Sequence, residues 1–418
     1  MIGNLLSFAS VMKSIGGVLL AVLILLAMIT VHEFGHYVAG KILNFKINEF
    51  SIGFGPAIFK RRSKKTGELF AIRVIPLGGY CAFDGEDGLE EEQKEETVQP
   101  PLFEEFSPQS LEKEKNDEGR YETKEENSKD RCEVKKENEY PEPKGEQFTD
   151  QAPWKRIIVL IAGATMNYLL ALFLIILMFA CMGRPMYKVV EKMPLGTEET
   201  AILQEMDEGL LVGDVIKKVD GKNVYMITDY MDILNGRKQG DVVPVLVLRG
   251  GEEITVDMIL RVDANIVNMS DTNTLLTAMG VNSMYAVTER EGFFPTIGHS
   301  LAYSVKIGGT VLRSLGELLT GKLGLDSMGG PITTIQVTSQ AASSGLMSFL
   351  NIAAFIGVNL AVFNLLPIPA LDGCKVIFCI IEWIRKKPVN RNVEAMIHFI
   401  GIIFLFGFAI LVDLLQLF

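Results

Sequence analysis

The chain has 418 residues, 48% of them hydrophobic, and its mean hydropathy is +0.26. A soluble domain of this size rarely has a positive mean hydropathy, so the composition favours a membrane protein and speaks against an ordinary soluble enzyme. The formal net charge of −11 arises from one segment, because residues 84–150 alone carry 24 acidic and 10 basic side chains.

Four segments have the roughly 20 apolar residues that a membrane-spanning helix needs. They lie within residues 1–43, 151–183, 348–374 and 396–418. Lysine and arginine are concentrated between the first and second segments, and again between the third and fourth, in a basic loop over residues 375–395. This bias predicts that both connections face the cytoplasm and that residues 184–347 face outward.

The first apolar segment ends in the sequence VHEFGHYVAG, which contains two histidines and a glutamate. His32 and His36 are four residues apart, so they share one helix face, where two imidazoles can hold a zinc ion. In such an H-E-x-x-H arrangement Glu33 is the general base. Ionisable groups at membrane depth are costly and usually mark function. The alternative is a pair of histidines that only make hydrogen bonds between helices.

The residues after this motif predict a β-hairpin and a disordered insert. Residues 44–83 alternate between apolar and polar in two runs, which the turn sequence KKTG separates. Residues 84–150 are rich in glutamate and lysine and poor in apolar side chains. That composition is typical of a disordered cytoplasmic loop.

Residues 184–265 have the pattern of a small α+β domain. The sequence EGLLVGDVIKKVDGKNV predicts a strand, a turn and a strand, MITDYMDILNG predicts a helix, and a Gly-Gly pair predicts a terminal hairpin. Residues 266–347 have amphipathic spacing with several charged side chains. We expect a helix on the outer membrane surface there, in preference to a fifth membrane span.

Asp372 is the best candidate for the third protein ligand that a hydrolytic zinc site needs. It lies in NLLPIPALDG, at the cytoplasmic end of the third apolar segment and at a depth similar to that of the two histidines. Pro367 and Pro369 interrupt the helix just before it, which allows the chain to turn the carboxylate inward. The alternative is a simple acid at the membrane interface.

Five stretches occur in the order found in the site-2 protease family of intramembrane zinc metalloproteases. They are the H-E-x-x-H motif, GFGP (53–56), RVIPLGGY (73–80), AGATMN (162–167) and NLLPIPALDG (364–373). The sequence resembles the bacterial regulator-of-sigma-E-protease type most closely, over nearly the whole chain except the acidic insert. It departs from that pattern at Cys374, where a second glycine is usual, and in AGATMN, where a proline usually follows Ala-Gly.

The resemblance implies a fold and a set of site residues. The fold is a multi-pass α-helical membrane protein with four transmembrane helices, a membrane-associated β-hairpin region and one extracytoplasmic PDZ-like α+β domain over residues 184–265. Zinc (Zn2+) would be held by His32, His36 and Asp372, with Glu33 as the base. The residues that would contact substrate are, in chain order, Arg73, Gly78, Gly79, Asn167, Asn359 and Asn364. For the asparagines the alternative is hydrogen bonding between helices.

We therefore predict an intramembrane zinc metalloprotease of the bacterial cytoplasmic membrane, with its active site near the cytoplasmic face and the PDZ-like domain outside. The resemblance implies single-span membrane proteins as substrates, such as anti-sigma factors and signal-peptide remnants. We expect the protease itself to contact the lipid bilayer and to bind no nucleic acid. The alternatives are an inactive scaffold of the same fold, against which Glu33 argues, and a transporter that uses the His/Asp cluster. We predict no role for His299 or His398.

Overall fold

The computed structural model describes residues 2–86, 140–193, 209–266, 271–325 and 328–417. The helices within these ranges are α1 (Ile2–Ile42), α2 (Pro153–Met182), α3 (Ile227–Leu234), α4 (Thr272–Met279), α5 (Phe293–Leu319), α6 (Pro331–Ser344), α7 (Leu346–Asn364), α8 (Asp372–Arg385) and α9 (Arg391–Leu417). The strands are β1 (Ile47–Arg62), β2 (Leu69–Phe83), β3 (Arg184–Lys192), β4 (Val215–Val219), β5 (Lys222–Asn223), β6 (Val242–Arg249), β7 (Glu252–Ile259) and β8 (Val281–Glu289).

Four helices among the described residues are long and apolar enough to cross a membrane. They are Ile15–Ile42 of α1, Pro153–Met182, Leu346–Asn364 and Arg391–Gln416 of α9. The prediction of a multi-pass α-helical membrane protein is thereby confirmed. Helix α2 lies at the centre of the bundle, because it packs against α1, α5, α7 and α8.

The third span differs from the helix predicted over residues 348–374. Helix α7 ends at Asn364, residues 365–371 form a turn, and α8 then begins at Asp372. The two prolines of the turn explain the break, since proline lacks the N–H that a continuing helix requires. The basic segment predicted as a loop over residues 375–395 is helical over most of its length, because α8 continues to Arg385 and α9 begins at Arg391.

Strands β1 and β2 form an antiparallel hairpin in the segment where one was predicted. The strand ends pair Ile47 with Phe83 and Arg62 with Leu69, while the middle of the hairpin has an irregular register. Gly53 and Gly55 have φ angles of 87° and 83° there, a backbone conformation that favours glycine. The hairpin packs against α1.

The acidic insert is ordered at both ends, so the prediction of disorder over residues 84–150 is wrong for residues 84–86 and 140–150. Phe148 is 5% exposed and packs against Phe45 and Phe83. Its backbone N–H donates to the carbonyl of Asp84 over 2.8 Å. The buried ring and the backbone hydrogen bonds of Glu146 with Asn44 and Lys46 hold this segment beside the hairpin. Residues 87–139 of the predicted insert lie outside the described residues.

The segment predicted to face outward contains an antiparallel six-stranded sheet in the order β7-β6-β4-β3-β8, with β5 paired to β4. Alternate residues of β6, including Val243, Val245 and Val247, are fully buried and pack against α3 and α4. Strand β8 pairs with β3 from Arg184–Glu289 onward, although it lies beyond the boundary predicted at residue 265. Part of the segment predicted to be amphipathic therefore forms the edge strand of this sheet, next to β3.

Helices α5 and α6 connect the sheet domain to the bundle. Helix α5, which is not among the four candidate spans, packs its Tyr303 and Ile307 against α2 and α7. His299 of α5 lies 2.6 Å from the Tyr225 hydroxyl and 3.3 Å from Glu291, so it joins α5 to the sheet domain. Burial, reinforced by the charge of Arg184, lowers the pKa of His299.

Candidate metal centre

The three predicted metal ligands come together between α1 and α8. The Nε2 atoms of His32 and His36 lie 3.2 Å apart. Oδ2 of Asp372 lies 3.0 Å from the first and 3.3 Å from the second. Among the described residues, this is the one group in which three potential metal ligands converge, and both imidazoles are buried.

The turn between α7 and α8 places the carboxylate. Asp372 is the first residue of α8, immediately after the turn that contains Pro367 and Pro369. Gly373 follows it, and a Cβ there would lie 2.5 Å from the carbonyl carbon of Leu365. Glycine is therefore required for the first turn of α8 to pack against the end of α7, which explains the Asp-Gly pair physically.

The tautomer of each histidine is set by what its other ring nitrogen faces. Nδ1 of His36 lies 2.8 Å from the carbonyl of Val159, so it carries the proton and donates. Nδ1 of His32 lies 3.5 Å from the side-chain amide of Asn167, whose Oδ1 is buried without a partner among the described residues. The amide nitrogen of Asn364 lies 3.4 Å from the same Nδ1. Because amide oxygen and nitrogen are interchangeable by rotation, both asparagines can turn an Oδ1 toward that Nδ1–H and accept it. Both Nε2 atoms then present lone pairs.

This donor set fits a zinc ion. Two imidazole lone pairs and one carboxylate oxygen face each other at 3.0–3.3 Å, an arrangement that is repulsive without a cation between the atoms. Tetrahedral zinc with bonds of about 2.0–2.1 Å requires ligand atoms separated by roughly 3.3 Å. Three protein ligands leave a fourth position open, as in hydrolytic zinc sites.

Gly163 of α2 makes room for the two imidazoles. A Cβ at this position would collide with Nε2 of His36 and lie 2.7 Å from Cε1 of His32. Sequence reasoning missed this residue, although its spacing offered a signal. Gly163 and Asn167 are four residues apart and therefore share the helix face that meets the histidines.

The chain matches the sequence model of peptidase family M50 over residues 20–408. It belongs to this family. Zinc metalloprotease RasP of Bacillus licheniformis is 28% identical over 92% of this chain and 94% of its own. Regulator of sigma-W protease RasP of Bacillus subtilis is 29% identical over 90% of this chain and 92% of its own. Zinc metalloprotease RasP of Geobacillus kaustophilus is 28% identical over 90% of this chain and 91% of its own. The predicted family, metalloprotease activity and zinc cofactor are confirmed.

The hairpin of this M50 protease passes directly beside the predicted base. A Cβ on Gly79 would lie 3.2 Å from Cγ of Glu33 and 2.9 Å from the carbonyl oxygen of Ser51. At Gly78 a Cβ would collide with the ring of Phe54. Gly79 therefore allows β2 to approach α1 closely, and Gly78 leaves room for the Phe54 ring of β1.

Arg73 is held by the hairpin itself in the M50 protease. Its guanidinium donates to Glu49 over 2.6 Å, to the Tyr80 hydroxyl over 2.8 Å and to the Ser51 hydroxyl over 2.9 Å. It also reaches the carbonyl of Gly55. The bonds to Glu49, Ser51 and Gly55 cross from β2 to β1, so Arg73 fixes the shape of the hairpin.

The three predicted substrate asparagines lie in different environments. Asn167 is 1% exposed and faces His32, as does the half-buried Asn364, whose amide lies 3.4 Å from Nδ1 of that histidine. Asn359 lies further back in α7, and its Oδ1 has no hydrogen-bond partner among the described residues. The structure thus brings two of the three asparagines to the metal centre.

Proposed function

We propose that this M50 protease cleaves single-span membrane proteins within or beside the bilayer, with zinc held by His32, His36 and Asp372. The observation that carries the proposal is the convergence of three lone-pair atoms within 3.3 Å, two of them on the candidate membrane-spanning helix α1. Zinc, when bound there, polarises the scissile carbonyl and activates a water molecule for attack.

Proton transfer is assigned to Glu33. It lies next to His32 in the sequence but is not part of the ligand cluster, so its carboxylate is available as a base. It accepts a proton from the attacking water and returns it to the departing amine nitrogen. Contact with Gly79 limits where the Glu33 side chain can lie.

Substrate is expected to bind in extended form along the hairpin. A helical substrate hides its carbonyl groups, whereas a strand added to a sheet edge exposes every second residue to the site. Gly78 and Gly79 support this assignment because they lie where β2 meets Glu33, and Arg73 contributes by holding the hairpin in shape.

The asparagines divide between two roles in this proposal. Half-buried Asn364 is accessible to a substrate carbonyl, whereas Asn359, on the same helix, has a buried amide oxygen that substrate would reach only after the site opens. Asn167 is too deeply buried to be a first choice for substrate, so its proposed contribution is to hold the ring of His32.

The proposed substrates are anti-sigma factors and signal-peptide remnants in a bacterial cell membrane. The name of the Bacillus subtilis relative, regulator of sigma-W protease, supports the first class. The arrangement of lysine and arginine supports a metal centre near the cytoplasmic face and a sheet domain outside.

The proposal is tested on the full-length protein purified in detergent. We expect one zinc ion per chain by elemental analysis, and cleavage of a synthetic single-span peptide that stops when a chelator removes the metal and resumes when zinc is returned. Zinc at full occupancy with no cleavage of any single-span peptide would instead support the inactive scaffold.

The outward sheet domain is proposed to be PDZ-like and to exclude substrates with large ectodomains. Removal of residues 186–287 is the cleanest deletion, because Met186 and Val287 are paired neighbours on β3 and β8 and a short glycine-serine linker can join the ends. We expect the deletion to speed cleavage of substrates with a folded ectodomain and to leave a short peptide unaffected. An unchanged preference for small substrates would remove the filter from the proposal.

A further inference from the structure

Ala370, two residues before the ligand Asp372, has an unusual backbone conformation. Its φ angle is 78°, in the left-handed region that residues with a Cβ rarely adopt. Such a residue persists only where its surroundings hold it. The neighbouring structure must therefore supply contacts that keep this turn in place.

Those contacts come from α9, which is distant in sequence. The backbone N–H of Ala370 donates to Nδ1 of His398 over 3.0 Å. Gly401, one turn further on the same face of α9, touches Pro369 so closely that a Cβ would lie 2.6 Å from its carbonyl carbon. The His398 ring also meets Phe378 of α8 edge-on, with ring centres 5.9 Å apart.

The contact between α9 and the turn before Asp372 is one of few that this helix makes, because the rest of α9 packs weakly against the protein. Only 11% of the most apolar part of its span is buried inside the described protein. Near its other end, Asp413 accepts from the backbone N–H groups of Ile332 and Thr333 at the start of α6. Helix α9 is thus fixed by polar contacts near both ends, and the one at His398 bears on the turn that carries a metal ligand.

We propose that His398 is a positioning residue for the metal centre, because it holds Ala370 in the left-handed conformation that directs Asp372 toward the two histidines. The inference rests on the ligand set assigned under the proposed function. Without the acceptor on His398, Ala370 relaxes toward negative φ, while Leu371 is already extended, and the carboxylate moves away from His32 and His36. We therefore expect loss of this acceptor to weaken zinc binding even though all three protein ligands are still present.

The test compares two amides that differ in reach. In His398→Asn the side-chain oxygen can occupy the place of Nδ1 and still accept from Ala370, whereas in His398→Gln the amide reaches the place of Nε2 instead. Zinc affinity is measured by chelator competition on the full-length protein, and cobalt is substituted so that its visible spectrum reports ligand geometry. We expect His398→Gln to weaken zinc binding about tenfold to hundredfold and to alter the cobalt spectrum, with His398→Asn close to wild type.

A second variant tests the backbone directly. Ala370→Gly removes the cost of the left-handed conformation, so it should recover part of the zinc affinity lost in His398→Gln. Phe399→Leu, on an exposed side chain next to His398, is the control for general disturbance of α9 and should leave both readouts unchanged.

The outcomes separate this inference from the proposed function. Absence of zinc from the wild-type protein would overturn the ligand set itself. If wild type binds zinc and His398→Gln binds it equally well with the same cobalt spectrum, the positioning role is wrong. Equal losses in His398→Gln and His398→Asn, without recovery by Ala370→Gly, would also overturn it, since they would indicate packing and not the hydrogen bond.

Discussion

Glu33→Gln is expected to abolish peptide cleavage while zinc remains bound at wild-type occupancy. The amide has nearly the same shape as the carboxylate, so it fits beside Gly79, but it cannot accept a proton from water. Loss of a general base costs about 10²- to 10⁴-fold in rate. The measurements are kcat for a single-span peptide and zinc content of the same preparation.

Glu253→Gln is the matched control for this change. Glu253 lies on β7, is exposed and pairs with Lys217, far from the metal centre in the fold. It should leave both cleavage and zinc content unchanged. Wild-type turnover in Glu33→Gln would remove Glu33 from the mechanism, and loss of zinc from that variant would show that the carboxylate is itself a ligand.

Local periodicity accounts for the histidine pair and the membrane spans, whereas Asp372 was predicted from its depth in the membrane and from the family resemblance. Two histidines four residues apart must share a helix face, so His32 and His36 could be assigned as a pair without any structure. The four spans followed from hydropathy in the same way. In each case the decisive interaction lies within one short segment.

Parts that depend on distant contacts could not be predicted in this way. His398 was assigned no role because it is far from the motif along its own helix, yet it reaches the turn that carries Asp372. Phe148 is one of five aromatic residues in the acidic segment 84–150, and its burial depends on Phe45 and Phe83. The sequence immediately around His398 or Phe148 gives no indication of these distant partners.

The sheet domain shows the same limit at its boundary. Strand β8 was included in an amphipathic segment because its own residues have little core character, and several are half-buried or exposed. Its place in the sheet is set by backbone pairing with β3, from Arg184–Glu289 to Lys192–Val281. Periodicity describes only how side chains alternate between buried and exposed positions. It therefore misses an edge strand that is held mainly by backbone hydrogen bonds.

Gly163→Ala is expected to weaken zinc binding and cleavage together. The added methyl group would collide with Nε2 of His36, the atom assigned to hold the metal, and press on the ring of His32. The imidazoles have little freedom to retreat, since Nδ1 of His36 is fixed on the carbonyl of Val159. Overpacking of this kind costs about 1–3 kcal/mol, which corresponds to about five- to 150-fold in metal affinity.

Gly407→Ala provides the matched control for that experiment. Gly407 is also a glycine of a membrane-spanning helix, but a Cβ there would meet nothing within 4 Å. The same methyl group should therefore change neither zinc affinity, measured by chelator competition, nor the rate of peptide cleavage. If Gly163→Ala binds zinc as tightly as Gly407→Ala, the histidines can shift without cost. The close approach of α2 would then have no part in shaping the metal centre.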